Sequence, residues 1–292
     1  MRRWRPSLPS LACAAAVGAF LVASRPAESK PAAADASKAV PLPGDTIKRL
    51  KSGDDALIKS ALDDVRMSAK AGAPAVPAIV ELIERGLSPT LTQAAIDTLA
   101  DTESEAASAG LAWYARHRNA VLRRSAVQAL ARTRGAVAIK TLRTGLSDPD
   151  AAVRGLSATG LGTLKAKEAI GDLFIALDHK LAEAAASIGK LCAGNECERL
   201  AAKLGGGSLA FEVVTSGLDQ ALFRGAPDVN DDTKVKIIAR IRELGTAEAN
   251  RFLRDVQGRW PKGGSPRVRQ ALDQAVLATT GSPGASASEG SP

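Results

Sequence analysis

The chain has 292 residues and a formal net charge of +8, and 45% of its residues are hydrophobic while only 3% are aromatic. Alanine and leucine must therefore form most of the core, which leaves few bulky side chains to line a deep pocket for a small molecule. No combination of serine, histidine and aspartate, and no cysteine–histidine pair, stands out as catalytic machinery. We therefore expect no enzyme and no cofactor.

The first 23 residues have the pattern of a signal peptide. Three arginines within the first five residues precede an apolar run, Leu11–Ala23, that is 13 residues long. This length is typical of a signal peptide and short for a membrane span, which needs about 20 residues. We expect a periplasmic or secreted protein whose mature chain begins between about residues 24 and 28 and has no transmembrane segment. The alternatives are an uncleaved membrane anchor and a lipoprotein attached through Cys13.

Two further segments have compositions typical of disordered chain. Residues 24–45 are rich in proline, alanine, serine and lysine, which predicts a linker, and residues 280–292 predict a disordered tail. Removal of residues 1–23 takes away three arginines and no acidic residue, which lowers the formal charge from +8 to +5. A basic excess of this size is typical of a solvated surface. Because an exported chain is separated from the cytoplasm, we expect no nucleic-acid partner.

Residues 46–204 repeat regularly, with a period of 31 residues. Apolar or small residues recur at this spacing in five columns: Leu91, Leu122 and Val153; Ala95, Ala126 and Ser157; Leu99, Leu130 and Leu161; Ala107, Ala138 and Ala169; Leu111, Leu142 and Leu173. A fixed period between 20 and 50 residues is typical of solenoids, in which each unit buries its apolar face by stacking on its neighbours.

Each unit is predicted to be a pair of antiparallel helices. Within a unit the apolar residues are three or four positions apart, which is the spacing of one helix face. The eight positions from Leu130 to Ala138 leave room for a tight turn but not for a third element. Cap residues precede the first helices, as at Ser88-Pro89 and Asp148-Pro149. The predicted fold is therefore an all-α solenoid of stacked helix pairs.

Residues 205–279 are predicted to continue the array less regularly. Gly205–Gly207 predicts a hinge, and the apolar pattern that follows, residues 209–222, predicts one helix. A polar loop at residues 224–232 precedes a helix pair at residues 237–253, and a last helix follows at residues 268–276. Atypical end units are expected because one of their sides faces solvent.

The repeat resembles the HEAT-like repeat family, especially its short variety of about 30 residues per repeat, as in the phycobilisome-lyase type. The residues that carry this resemblance are Asp148-Pro149-Asp150-Ala151-Ala152-Val153-Arg154, Ser157, Gly160-Leu161-Gly162, Ala169-Ile170 and Leu173. The resemblance covers residues 53–279 and is strongest over residues 88–178. It implies a right-handed superhelix whose second helices line the concave face. Some members of the family are accessory lyases that attach bilin chromophores.

Cys192 and Cys197 are the only cysteines that follow the predicted signal peptide. They flank a predicted turn between two helices, and a close pair of this kind in an exported protein is typical of a structural disulfide. The neighbouring sequence does not supply the further ligands of a zinc site. We predict a disulfide, and the alternative is a pair of buried free thiols.

Two other patterns resemble metal sites without completing one. His117, Asp148 and His179 share one register, but the two histidines are two repeats and therefore roughly 20 Å apart, so we predict that they cap helix ends. The DVNDD run at residues 228–232 resembles the start of a calcium loop, yet the glycine and glutamate that such a loop needs are missing. We predict no metal site, and we expect Asp231 or Asp232 to cap the helix that follows.

Trp113 is the candidate anchor of a binding surface. At 100° per residue it lies away from the apolar stripe of its predicted second helix. Arg116, Lys140 and Arg143 lie near it on that helix or one repeat further on. An exposed tryptophan beside arginine is typical of an interface anchor. The alternative is that Trp113 packs against the first unit, whose connection between helices is longer.

Together these features favour an exported scaffold or adaptor that binds another protein without catalysis. Two alternatives stay open. The first is a module that binds a polyanion through the basic excess. The second, implied by the resemblance, is an accessory lyase of the bilin-lyase type.

Overall fold

The structure, a computed structural model, describes residues 40–280, which form helices joined by short turns. The predicted signal peptide, most of the predicted linker and the tail beyond residue 280 lie outside the described residues. The α-helices are α1 (Thr46–Leu50), α2 (Asp55–Ser68), α3 (Val76–Arg85), α4 (Pro89–Asp101), α5 (Glu105–Tyr114), α6 (Ala120–Leu130), α7 (Ala136–Gly145), α8 (Ala151–Thr163), α9 (Ile170–Asp178), α10 (Glu183–Leu191), α11 (Asn195–Ala201), α12 (Phe211–Leu222), α13 (Asp231–Arg242), α14 (Ala247–Arg259) and α15 (Pro266–Thr280). Two 3₁₀ segments, Ala69–Ala75 and Lys167–Ala169, precede α3 and α9.

The helices stack in two layers, as the repeat predicts. The first helices α2, α4, α6, α8, α10 and α12 each pack on the next one in one layer. In the other layer α3, α5 and α7 pack in series, and so do α11, α13 and α15. The column leucines are fully buried: Leu99, Leu130, Leu161, Leu111, Leu142 and Leu173. The predicted all-α solenoid and its 31-residue register are therefore confirmed.

Side-chain caps fix the helix starts at the repeat spacing. Asn119 and Asp150 are 31 positions apart and occupy the N-cap positions of α6 and α8. Asn119 Oδ1 accepts a hydrogen bond from Val121 N at 2.9 Å, and Asp150 Oδ1 accepts one from Val153 N at 3.0 Å. Because these bonds satisfy N–H groups that have no partner inside the helix, α6 and α8 start at the same point of the repeat.

The first unit contains a helix that the periodicity did not predict. Helix α1 packs on α2 and α3, and its residues Thr46 and Leu50 are buried. A helix of five residues is too short to display an apolar period. The longer connection of this unit, which the sequence did indicate, is the 3₁₀ segment Ala69–Ala75 with Pro74 inside it.

The C-terminal units follow the predicted plan with one correction. Asn230, and not Asp231 or Asp232, caps α13, because its Oδ1 accepts a hydrogen bond from Thr233 N at 2.9 Å. The helix starts at Asp231, so the capping side chain must come from the residue before it. Asp231 instead accepts a hydrogen bond from Ser265 Oγ at 2.5 Å and thereby links α13 to the start of α15.

Glycines allow α10 and α12 to approach each other very closely. A Cβ atom at Gly189 would lie 2.6 Å from the carbonyl carbon of Gly217, and one at Gly217 would lie 2.8 Å from the carbonyl carbon of Ala185. Contacts of this kind are shorter than any that real Cβ atoms make. Backbone therefore packs directly on backbone at this point of the first-helix layer.

Candidate functional site

One face of the second helices carries a column of exposed residues, which we call the Trp113 column. It consists of Trp113 on α5, Thr144 on α7 and Ile175 on α9, spaced by 31 positions. Trp113 is 64% exposed, Ile175 is 59% exposed, and Thr144 is exposed as well. Each follows a fully buried column leucine by two positions, or about 200° around the helix, so the column faces away from the core. Trp113 is therefore accessible and is not covered by the first unit.

A groove of about 710 Å³ lies beside this column, between α7 and α9. Helices α7 and α9 pack less closely on each other than α5 and α7 do. We call this groove the Arg154 groove, and its polar and apolar lining includes Lys140, Arg143, Arg154, Asp172, Ile175 and His179.

A smaller groove of about 420 Å³, the Arg123 groove, lies one repeat earlier, between α5 and α7. Its lining includes Arg116, Arg123 and Asp148. Thr144 lines both grooves, so they are neighbours on one continuous face of the second helices.

The structure separates the four predicted binding residues. Lys140 and Arg143 line the Arg154 groove, Arg116 lines the Arg123 groove, and Trp113 lies outside both linings. Arg143 is paired with Asp172 of the next repeat, with 2.5 Å between Nε and Oδ2. Part of the predicted positive charge is therefore neutralised within the chain, and the binding role of all four residues stays a prediction.

An arginine recurs at the base of each groove and fastens the loop between repeats. Arg123 Nη1 donates hydrogen bonds to the carbonyl oxygens of His117 and Arg118 at 2.9 and 3.2 Å. Arg154 Nη1 makes the same two contacts one repeat later, at 2.8 and 3.1 Å. These carbonyl groups follow the end of a second helix and lack partners within it, so the arginine satisfies them. Sequence reasoning missed this pair as groove residues, although their 31-residue spacing was a usable signal.

The rest of the Arg123 guanidinium binds a carboxylate in the next repeat. Nε and Nη2 of Arg123 donate to the two carboxylate oxygens of Asp148, both at 2.9 Å, in a parallel fork. The hydrogen bond to Asp148 raises the pKa of Arg123. Beside it, the hydrogen bond from Arg124 holds the pKa of Asp150 well below its usual range. These ion pairs join α6 to the loop before α8 and so connect one repeat to the next.

A sequence profile described as HEAT repeats matches residues 76–161 and, in a second register, residues 108–191. Residues 76–191 are HEAT repeats. This is the part of the array in which the column residues are buried and the grooves lie.

Several solved structures resemble this chain at low sequence identity. One is the complex of CpcE and CpcF of phycocyanin lyase from Nostoc sp. PCC7120, at 17% identity and a TM-score of 0.42, with 80% of this chain and 93% of that chain covered. Another is an engineered protein at 16% identity and a TM-score of 0.45, with 81% and 78% covered. A second engineered protein has 16% identity and a TM-score of 0.37, with 80% and 95% covered. No curated protein matches the sequence significantly.

The predicted disulfide lies just after the residues that match the HEAT-repeat profile. Cys192 and Cys197 are bonded, with 5.2 Å between their Cα atoms, and both are fully buried. The bond spans the turn from α10 to α11, within one repeat. Arg224 Nη1 donates to the carbonyl oxygen of Cys192 at 2.6 Å, which ties the same turn to the end of α12.

The histidines of the HEAT array lie at helix ends, as the sequence predicts. His117 follows α5, and its Nδ1 accepts a hydrogen bond from Asn119 N at 3.0 Å while its ring stacks on Tyr114. His179 is the C-cap residue of α9.

Between residues 40 and 280 no group of three or more histidine, cysteine or acidic side chains is placed to hold a metal ion. Over the same residues, no helix is both long enough and apolar enough to cross a membrane.

Proposed function

We propose that this HEAT-repeat chain is an exported scaffold or adaptor that binds another protein, without catalysis, through the second helices α5, α7 and α9. The observation that supports the proposal best is the Trp113 column beside the two grooves. A tryptophan that is 64% exposed and an isoleucine that is 59% exposed lie on one face at repeat spacing. Large exposed side chains of this kind are the usual anchors of protein interfaces.

The charge distribution favours a protein over a polyanion. Several cations of the regular repeats are already paired with acids of a neighbouring repeat: Arg66 and Arg132 with Asp101, Arg123 with Asp148, Arg124 with Asp150, and Arg143 with Asp172. Paired cations contribute little to the binding of an extended anion. An accessory lyase rests on family resemblance alone, and no contact among residues 40–280 favours it.

Export belongs to the proposal and has its own test. We expect the mature chain to begin between about residues 24 and 28, because the apolar run ends at Ala23 and is followed by a linker composition. Intact mass of the native protein from the envelope or culture medium measures this start directly. A full-length chain recovered from the cytoplasm would contradict export.

Binding is tested by affinity capture from the native envelope fraction with the mature chain and two matched variants. Trp113→Ala should lose the captured partner while keeping helical circular dichroism, because truncation of an anchor costs binding about 2 kcal/mol or more. Leu277→Ala is the control, since Leu277 on α15 is an apolar side chain that is 75% exposed. Equal capture by both variants would overturn Trp113 as the anchor of the second-helix face.

A further inference from the structure

The Arg154 groove lacks a group that the Arg123 groove contains. Beside Arg123, the carboxylate of Asp148 accepts two parallel hydrogen bonds from Nε and Nη2. The residue 31 positions after Asp148 is His179, which lines the Arg154 groove. An imidazole ring cannot accept two parallel N–H bonds as a carboxylate does. Among residues 40–280, Arg154 forms no salt bridge, and only its Nη1 donates hydrogen bonds.

The Arg154 guanidinium is nevertheless held in place. Its Nη1 binds the carbonyl oxygens of Asp148 and Pro149, as Arg123 binds the corresponding carbonyls one repeat earlier. The contacts that orient the guanidinium are thus repeated in both grooves. Within the described part of the chain, however, a carboxylate binds the Nε and Nη2 atoms only in the Arg123 groove. An oriented donor group loses little conformational freedom when a ligand binds, which favours affinity.

The surroundings of this fork suit an acidic side chain that belongs to a protein. Lys140 lines the groove and, among the described residues, forms no ion pair, so it adds a second cation. Asp172 also lines the groove and is paired with Arg143, so a multiply charged anion would meet a carboxylate there. Ile175 provides exposed apolar surface at the edge.

We propose that Arg154 binds an aspartate or glutamate side chain of the protein partner, which takes the position that Asp148 has beside Arg123. An apolar residue next to that acid would pack on Ile175. This inference rests on the proposed function, since it names the chemistry of the partner that the second-helix face captures. Charge complementarity with an intrachain precedent one repeat away is the argument for this occupant.

The first test is a titration of ¹⁵N-labelled protein that follows the arginine Nε–H signals. The probes are acetyl-aspartate methylamide, the neutral acetyl-asparagine methylamide and inorganic phosphate, and the Arg154 signal is assigned by its loss in Arg154→Gln. We expect the aspartate probe alone to shift the Arg154 signal in a saturable way. The Arg123 signal should not move, because Asp148 already occupies its fork. Equal shifts of both arginines, or no shift, would overturn the proposal, and a shift with phosphate but not aspartate would replace it by the polyanion alternative.

A second variant tests the missing carboxylate itself. His179→Asp restores the residue type of Asp148 at the matching repeat position, and His179 is exposed, so the change should not disturb folding. We expect the new carboxylate to pair with Arg154, to abolish the probe shift, and to weaken partner capture by at least about tenfold. His179→Asn, which has a similar size without the charge, should keep the Arg154 probe shift, and loss of the shift in this variant as well would overturn the role given to the carboxylate.

The outcomes separate this inference from the proposed function. Normal capture by His179→Asp, together with loss of capture by Trp113→Ala, would overturn the carboxylate site and keep the binding face. Normal capture by Trp113→Ala with a specific Arg154 shift would overturn the anchor and keep the carboxylate site.

Discussion

Replacement of Gly189 by alanine should destabilise the array although alanine is the better helix former. The added Cβ atom would lie 2.6 Å from the carbonyl carbon and 2.9 Å from the Cα atom of Gly217, whereas real Cβ contacts stay beyond 3.0 Å. The obstacle is backbone rather than a flexible side chain, so α10 and α12 must separate by roughly 1 Å. Their flanking residues Ala185, Ile188 and Leu218 are fully buried and would lose contact as well.

The expected magnitude follows from two opposing terms. Alanine gains about 1 kcal/mol over glycine in a helix interior. Overpacking of a closely packed contact costs about 1–3 kcal/mol and more where the backbone must move, and a gap of 0.5–1 Å forfeits a quarter to a half of each dispersion contact. The free energy of unfolding should therefore fall, by up to about 2 kcal/mol.

Urea unfolding followed by circular dichroism and tryptophan fluorescence measures this change. Fluorescence reports on the C-terminal units in particular, because Trp260 is buried while Trp113 is mostly exposed. Gly258→Ala is the matched control: Gly258 lies in α14 with no atom within 4 Å of its added Cβ, so alanine should stabilise by about 0.4–1 kcal/mol. If Gly189→Ala unfolds at or above the wild-type urea midpoint, the close approach of α10 and α12 is refuted.

Three further predictions concern the column, the disulfide and acid. Leu142→Ala should lower the free energy of unfolding by about 2–5 kcal/mol, whereas Lys140→Ala should change it little; equal urea midpoints would mean that the register is wrong. The double substitution Cys192→Ala and Cys197→Ala should lower the free energy of unfolding by about 2 kcal/mol, because the loop that the disulfide closes is short. Thiol labelling of the denatured, unreduced wild type should find no free thiol at either position. Because the folded-state pKa of Asp150 is lowered, its contribution is present above the unfolded-state pKa of about 4 and is lost as pH falls below it. Asp150→Asn keeps the cap but not the charge, so its melting temperature should drop less than that of wild type between pH 7 and pH 3; an equal drop would contradict the assignment.

The architecture could be predicted from the sequence because it depends on a repeated apolar pattern. The same buried position of the repeat recurs three times, at Leu99, Leu130 and Leu161. The period can therefore be recognised even where one unit deviates from it. Short or single features carry no such redundancy. Helix α1 is one turn long, and the cap of α13 depends on which residue starts the helix, which a period cannot define to a single position.

The candidate site was only partly accessible to sequence reasoning. The angular position of Trp113 relative to the apolar stripe predicted its exposure, because helix geometry fixes that angle. The sequence did not reveal that Arg143 pairs with Asp172, since both lie on side chains whose direction depends on the stacking of α7 and α9. It also missed Arg154, because its role appears only when Arg123 and its partner Asp148 are compared one repeat apart.

The contact between Gly189 and Gly217 is a further feature that the sequence could not supply. These residues are 28 positions apart rather than 31, so they do not fall in a column. Their meeting depends on the short first helix α10 and on the direction of the chain after Gly205–Gly207, where two glycines adopt positive φ angles of 76° and 69°. Such a crossing is set by tertiary packing and not by local pattern.

The most direct test of the central claim, that the second-helix face binds a protein, is site-specific photocrosslinking in the native envelope. A photoreactive benzoylphenylalanine is placed at Thr144, which lines both grooves, and separately at Thr159, an exposed threonine on the first helix α8. We expect one discrete crosslinked protein from Thr144 that disappears in the Trp113→Ala background, and none from Thr159. A crosslink from Thr159 with none from Thr144 would show that the second-helix face is not the binding surface.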